Sequence, residues 1–299
     1  MSVNSGGAQL STTTAPAEGA RRERPWYVMA LRNRRLVIGS LLLLGLLLVA
    51  VLAQVLATHS PLLVRPEIRL SPPSAEHRFG TDNFGRDLYS RTVYGARISL
   101  LVGGTVALLA ALAGTSFGLL GGYNQRVDLV LMRIMDGMMA FPGIVLAVGI
   151  MAAMGPHVAN VIVALAIVQA PRVVRVVRSV VISLRQMQYV EAARCMGVSD
   201  WRMLLRHILP NCISPLVVQC TFIFGEAVLG EASLSFLGVG APPEIPSWGV
   251  ILGEARLYIR TAPWMMFLPG TALTLTVLAL NLVGDGIRDW LDPRLRKTM

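Results

Sequence analysis

Residues 176–211 read VVRSVVISLRQMQYVEAARCMGVSDWRMLLRHILPN, a polar island between two long apolar stretches. Arg172, Arg175 and Arg178 recur at helical spacing across its leading edge, so the helix that precedes the island extends into it. A short helix over 188–196 follows and stops at Gly197, where left-handed backbone costs least. Ser199 is placed to cap a second short helix, and Asp200 is favourable in its first turn. Val198, Trp201, Leu205 and Ile208 share one face of that helix, opposite Arg202 and Arg206, and Pro210 limits its length. Two readings fit this pattern: an amphipathic helix lying on a lipid surface, or two short helices with a glycine bend that dock a protein.

On both sides of the island the charge disappears. About 18 to 20 apolar residues cross a bilayer as helix. No residue from 36 to 64 is charged, which places a first span at 36–56. A cleaved signal peptide fits less well, because its apolar core is only about 7–15 residues long. The 28 uncharged residues between Arg97 and Arg126 hold a second span, 98–122, whose Gly103, Gly104, Gly114, Gly118 and Gly121 suit close helix packing in lipid. The next uncharged run, 137–171, has 35 residues. As helix it would measure about 52 Å, more than one crossing needs. Gly155-Pro156-His157 is its natural break, giving spans at 130–154 and 158–176. A fifth span runs from 207 to about 237, and a sixth covers 263–283. Pro142 and Pro269 are expected to kink their helices.

Composition agrees with this reading. Apolar residues make up 54% of the 299, charged residues 15%, and the mean hydropathy is +0.59, whereas soluble domains carry about 25% charge. The net charge of +10 would suit nucleic acid, but the charges fall in short blocks between uncharged runs, as in a membrane protein. With the N-terminus inside, the inner segments hold 19 Lys and Arg and the outer ones eight, which orients both termini to the cytoplasm. Three cysteines without CxxC spacing offer no disulfide framework. The four histidines (His59, His77, His157, His207) form no HExxH pair, so neither metal nor cofactor is expected, and no phosphate loop or nucleophile elbow occurs.

The docking reading gains weight from Glu191-Ala192-Ala193, then Gly197, then Leu209-Pro210. This block resembles the EAA loop of bacterial ATP-binding-cassette importer permeases. Further segments extend the likeness over about residues 36–295. They are Phe79-Gly80-Thr81-Asp82 with Gly85-Arg86-Asp87 and Ser90-Arg91, Arg133 to Asp136 before Ala140-Phe141-Pro142, and Glu231-Ala232-Ser233-Leu234-Ser235-Phe236-Leu237-Gly238. Pro246-Ser247-Trp248-Gly249, Asn281-Leu282-Val283-Gly284-Asp285-Gly286 and Leu291-Asp292-Pro293-Arg294 complete the set. In this order they resemble the C-type subunit of the dipeptide/oligopeptide/nickel permease family.

That resemblance implies an all-α membrane protein with six transmembrane helices in the type I importer permease fold. Its segments would be a cytoplasmic tail (1–35), a first span (36–56), an extracytoplasmic segment (57–97), a five-helix core (98–290) with a coupling loop at about 185–210, and a cytoplasmic tail (291–299). It also implies a bacterial inner-membrane location, a second permease subunit, two cytosolic ATP-binding subunits, an extracytoplasmic solute-binding protein, and peptide as substrate. Catalysis would belong to the ATP-binding subunits. The coupling contacts would come from Glu191, Ala192, Ala193, Gly197, Asp200, Arg206, Leu209 and Pro210. Glu191 would supply a charged contact or helix cap, the alanines clearance, and Gly197 the bend.

Other points stay open on the residues alone. Glu226 and Glu231 sit inside the fifth span, where a charge costs about 2.5–3.5 kcal/mol on insertion scales. They either line a pathway or are hydrogen-bonded carboxyls packed against other helices. Asp136 is expected to pair with Arg133. Asp82, Arg86, Asp87, Arg91 and Arg97 either pair internally, the favoured reading, or dock the binding protein. Proton-coupled secondary transport, with the two glutamates as ion site, is an alternative, as are glutathione, nickel chelates or haem as cargo.

Overall fold

The computed structural model describes residues 33–291, so the tails expected at 1–35 and 291–299 fall largely outside the described residues. All its regular elements are helical. They are α1 (Arg34–Val51), α2 (Ala53–Leu56), α3 (Leu88–Tyr123), α4 (Gln125–Met139), α5 (Gly143–Met154), α6 (Val158–Arg185), α7 (Gln188–Cys195), α8 (Asp200–Phe236), α9 (Trp248–Ala255) and α10 (Trp264–Leu291). Five of them (α1, α3, α6, α8 and α10) are long and apolar enough to cross a membrane. The pair α4 and α5 makes a sixth if counted as one span.

That pair corrects the straight crossing expected at 130–154, because α4 and α5 meet at 93°. Pro142 lacks the amide hydrogen an unbroken helix needs, and its ring forces Phe141 out of helical backbone. Pro269 behaves differently and lies inside α10. The break expected at Gly155 is present: its φ is +85° and α6 begins at Val158.

α3 and α6 form the centre. At Gly114, Gly118 and Gly122 a Cβ would lie 2.3, 2.7 and 2.7 Å from the Cβ atoms of Val173, Val177 and Val181. A four-residue glycine groove on one helix therefore takes a four-residue valine ridge on the other, and the backbones close to a distance only glycine permits. Gly104, by contrast, makes only ordinary contact with Phe224, and Gly122 was not among the glycines singled out from sequence.

α1 buries only Gly39 and Ala50 and rides on the outside of α10. Asn33 caps α1, its Oδ1 accepting from the amides of Arg35 and Leu36 at 3.1 and 3.2 Å. Its Nδ2 donates to the Gly286 carbonyl at 3.3 Å, and Arg35 lies 3.6 Å from Asp289. The start of α1 and the end of α10 are thus at one end of the bundle, as an even number of crossings requires.

α3 has 36 residues, begins ten residues before the expected second span, and measures about 54 Å at 1.5 Å per residue. Its start at Leu88 and its end at Tyr123 therefore mark opposite ends of the molecule. Residues 57–87 and α9 cap the first end, and α7 and the start of α8 occupy the other.

Candidate functional site

At the Tyr123 end, residues 186–210 form a compact elbow. α7 ends in a Schellman turn: the amide of Gly197 donates to the Arg194 carbonyl at 3.0 Å, and that of Val198 to the Ala193 carbonyl at 3.2 Å. Gly197 has φ +79°, so the glycine is there for its backbone. Val190 and Ala193 face inward and are buried, while Glu191 and Ala192 face outward. The two alanines thus do different jobs. Glu191 lies in the first turn of α7, where the helix dipole favours a carboxylate, but the N-cap is Met187.

The expected second short helix, limited by Pro210, is corrected. Asp200–Phe236 runs unbroken from the elbow through the fifth span, with a π-helical stretch over Met203–Ile208. Pro210 sits in the first turn of the α-helix that resumes at Leu209, where its missing amide costs nothing. The wider π turn also shifts the faces. Met203, Leu204 and Ile208 are buried, whereas Trp201 is 66% and Leu205 41% exposed, so Val198, Trp201, Leu205 and Ile208 do not share one face. Ser199 occupies the N-cap position but makes no side-chain cap bond.

Tyr123 at the end of α3 ties the elbow to the bundle: its hydroxyl donates to the Asp200 carboxylate, and the guanidiniums of Arg185 and Arg194 lie 5.5 and 6.0 Å from its ring. The outer surface then presents Met187, Tyr189, Met196, Trp201 and Leu205 together with the exposed side chains of Glu191, Arg202 and Arg206. An apolar surface rimmed by charge is what a protein partner covers.

Three arginines of α6 connect this end to the bundle above it. Arg172 pairs with Glu226 of α8, Arg175 with Asp136 at 2.6 Å, and Arg178 with Asp128, one of its two contacts being 2.6 Å. Asp136 therefore pairs across to α6 rather than with Arg133 on its own helix. Glu226, its side chain 44% exposed, also accepts from Gln169 Nε2 at 3.0 Å.

Glu231 is different: it is fully buried near the other end. Its carboxylate accepts from the hydroxyls of Ser247 at 2.7 Å, Ser235 at 2.9 Å and Ser99 at 3.2 Å. Each hydroxyl in turn accepts a backbone amide, of Val250, Ala241 and Trp248 respectively. One carboxylate thus orders α3, α8 and the start of α9, and it presents no surface to a pathway in this conformation. The neighbouring motif residues belong to the same joint. The Trp248 indole donates to the Thr92 carbonyl at 2.9 Å, and a Cβ at Gly249 would lie 2.5 Å from Ala232 Cα.

In the cap, Asp82, Arg86, Arg91 and Glu254 form a buried network: Arg86 Nε lies 2.6 Å from Asp82, and Glu254 receives Arg86 at 2.9 Å and Arg91 at 3.1 Å. Arg91 also reaches Asp82. Asp87 caps α3, accepting from the Ser90 amide at 2.8 Å. Internal pairing accounts for these residues, and Arg97 stands apart as an exposed side chain on α3. Sequence spacing gave no hint of Glu254 as a partner, since it lies 168 residues from Arg86. It gave no hint either that His59 and His77 come together, with ring centroids 4.7 Å apart.

The chain is similar to known proteins. Residues 114–297 match the family described as binding-protein-dependent transport system inner membrane component. A putative peptide transport system permease protein of Brucella abortus is 51% identical over 266 residues, covering 89% of this chain and 90% of its own. A dipeptide transport system permease protein of Alkalihalophilus pseudofirmus is 44% identical over 276 residues, 91% of each chain. A glutathione transport system permease protein of Pectobacterium atrosepticum is 44% identical over 275 residues, again 91% of each. Among solved structures, the MetNI methionine ABC transporter superposes with a TM-score of 0.56 at 20% identity, over 67% of this chain and 96% of that one, and shares the type I importer permease fold. The chain is therefore a multi-pass inner-membrane protein and belongs to the family of membrane permease components of binding-protein-dependent transport systems.

Proposed function

We propose that this chain forms half of the translocation pathway of an ATP-driven peptide importer and that its elbow is the part a cytosolic ATP-binding subunit grips. A second permease subunit completes the pathway as a heterodimer. Two ATP-binding subunits lie in the cytoplasm, and a solute-binding protein delivers cargo to the cap. In this reading the elbow end is cytoplasmic, as the arginine distribution requires. Peptide is the cargo class supported by the names of the relatives from Brucella and Alkalihalophilus. The chain hydrolyses nothing itself.

One observation carries the mechanism. α8 is a single 37-residue helix from Asp200 to Phe236, so its first turn lies in the elbow and its last at the far end of the span. A displacement of the elbow is then a displacement of the whole rod, with no intervening loop to absorb it. Gly197 holds α7 at a fixed angle to that rod, and Tyr123 anchors its start. Glu191, Ala192, Gly197, Arg206 and Pro210 face the partner, while Ala193, Asp200 and Leu209 hold the elbow to the bundle. Of the two glutamates in α8, Glu226 is the one open to a pathway.

Gly197→Pro removes both the positive φ and the amide that closes the turn, and Glu191→Lys inverts the exposed charge. In the complete complex reconstituted in liposomes, either change is expected to cut ATP-driven peptide uptake at least tenfold. Amounts of chain in the membrane should stay unchanged and ATP hydrolysis should persist. Uptake at the unmodified rate in both variants would remove the coupling role.

A further inference from the structure

His59 lies in the turn that follows α2, and His77 in the loop that leads to α3. With Glu76, each offers one donor atom, and the three atoms all lie within 4.8 Å of one another. Nδ1 of His77 is 2.8 Å from Asp87 Oδ1. A carboxylate only accepts, so this nitrogen carries the proton, and in the neutral ring Nε2 keeps its lone pair. That Nε2 is buried and has no hydrogen-bond partner, which is costly for a polar atom unless something else binds it. A histidine held through one nitrogen by a carboxylate, with the other nitrogen bare, is the arrangement that orients metal-ligating imidazoles. The second imidazole is also held: the His59 amide donates to Ser90 Oγ at 3.0 Å, and its Nδ1 lies 3.0 Å from Thr58 Oγ1. The Glu76 side chain is 69% exposed, with Arg65 3.8 Å away as its ion-pair partner, so the carboxylate is free to swing.

We propose that His59, Glu76 and His77 bind one divalent transition-metal ion of the zinc class. Two imidazole nitrogens and one carboxylate oxygen are a zinc donor set and are too rich in nitrogen for calcium or magnesium. Tetrahedral zinc at about 2.1 Å from each donor sets the donors about 3.4 Å apart. From donors within 4.8 Å of one another the contraction is at most about 1.4 Å, shared between the exposed Glu76 side chain and rotation of the imidazoles. A water or a ligand from a partner fills the fourth position. The ion ties the end of the first span to the cap loop and, through Asp87, to the first turn of α3. Binding is independent of the elbow and of the transported cargo.

The test uses the purified full-length chain in detergent, stripped with a chelator and titrated with Zn2+ alone. One ion per chain is expected, with a rise in melting temperature. Glu76→Gln should weaken binding at least tenfold and His59→Ala about a hundredfold, with the metal-free helical spectrum and melting temperature unchanged. X-ray absorption of the zinc-loaded chain should show nitrogen and oxygen neighbours only. Absence of stoichiometric binding would overturn the proposal. So would equal affinity in Glu76→Gln and His59→Ala, or a sulfur shell that places the ion on cysteine. If His59→Ala fails to fold, Glu76→Gln, altered at an exposed side chain, reads the same question.

Discussion

Two carboxylates near the cap show how burial and partners decide what a charged residue does. Glu231 has three hydroxyl donors and no exposed surface. Glu231→Ala strands those hydroxyls in the interior, at about 1–3 kcal/mol for each group left unsatisfied. Thermal unfolding in detergent should drop by at least about 2 kcal/mol, and Glu231→Gln, which keeps an acceptor oxygen, should lose less. Glu254 lies in α9, outside the spanning helices. Burial pushes its carboxyl up to about 7, against the pull of the Arg86 guanidinium and with a further push from Asp82. The folded chain therefore holds this proton more tightly than the unfolded chain, whose value is near 4.5. The resulting stabilisation is fully present below about 4.5 and is lost as pH rises through about 7. Melting temperatures measured between pH 5 and 8 should fall with rising pH, and Glu254→Gln should flatten that fall. For Glu231 the sequence offered a hydrogen-bonded carboxyl packed against other helices as one of two readings, but not which hydroxyls would meet it. The pairing of Glu254 with Arg86 and Arg91 depends on a fold that brings α9 onto the start of α3.

Among the elements, the closest packing is the α3–α6 seam. Gly118→Leu would drive a branched side chain into Val177, whose Cβ already lies 2.7 Å from where a glycine Cβ would be. The helices must separate, so the variant should be lost from the membrane fraction or melt markedly earlier. Gly104→Leu, facing only loose contact, should be far milder. Comparing the two by thermal unfolding of purified chain checks the argument. The glycine content of α3 was readable in advance because packing in lipid selects small residues, but its four-residue register was not, since Gly122 was not singled out. The course of α4, α5 and α8 was not. Pro142 and Pro210 look equivalent as helix breakers, yet one marks a 93° bend and the other sits harmlessly in a helix's first turn. What separates them is the position of each proline relative to the turn, and a π-helical stretch that leaves no periodic trace in sequence.

For the molecule as a whole, two ends of opposite character follow from one long helix. The cap end is closed by buried ion pairs and the Glu231 joint, and the elbow end leaves apolar side chains uncovered. Charge blocks between apolar runs led to six crossings, against five long apolar helices and the bent pair α4–α5 among the described residues, and they located the elbow between two of those helices. Whether the elbow is gripped by a motor is the central claim, and a native cysteine reports on it. Cys195 ends α7 and is exposed, whereas Cys212 is buried and Cys220 is partly so. The measurement is labelling of Cys195 by a membrane-impermeant thiol reagent, in inside-out vesicles with and without the ATP-binding subunits. Labelling that occurs without those subunits and is blocked by them is the predicted result. Labelling from the outer face of right-side-out cells, or equal labelling with the ATP-binding subunits in place, would contradict the account.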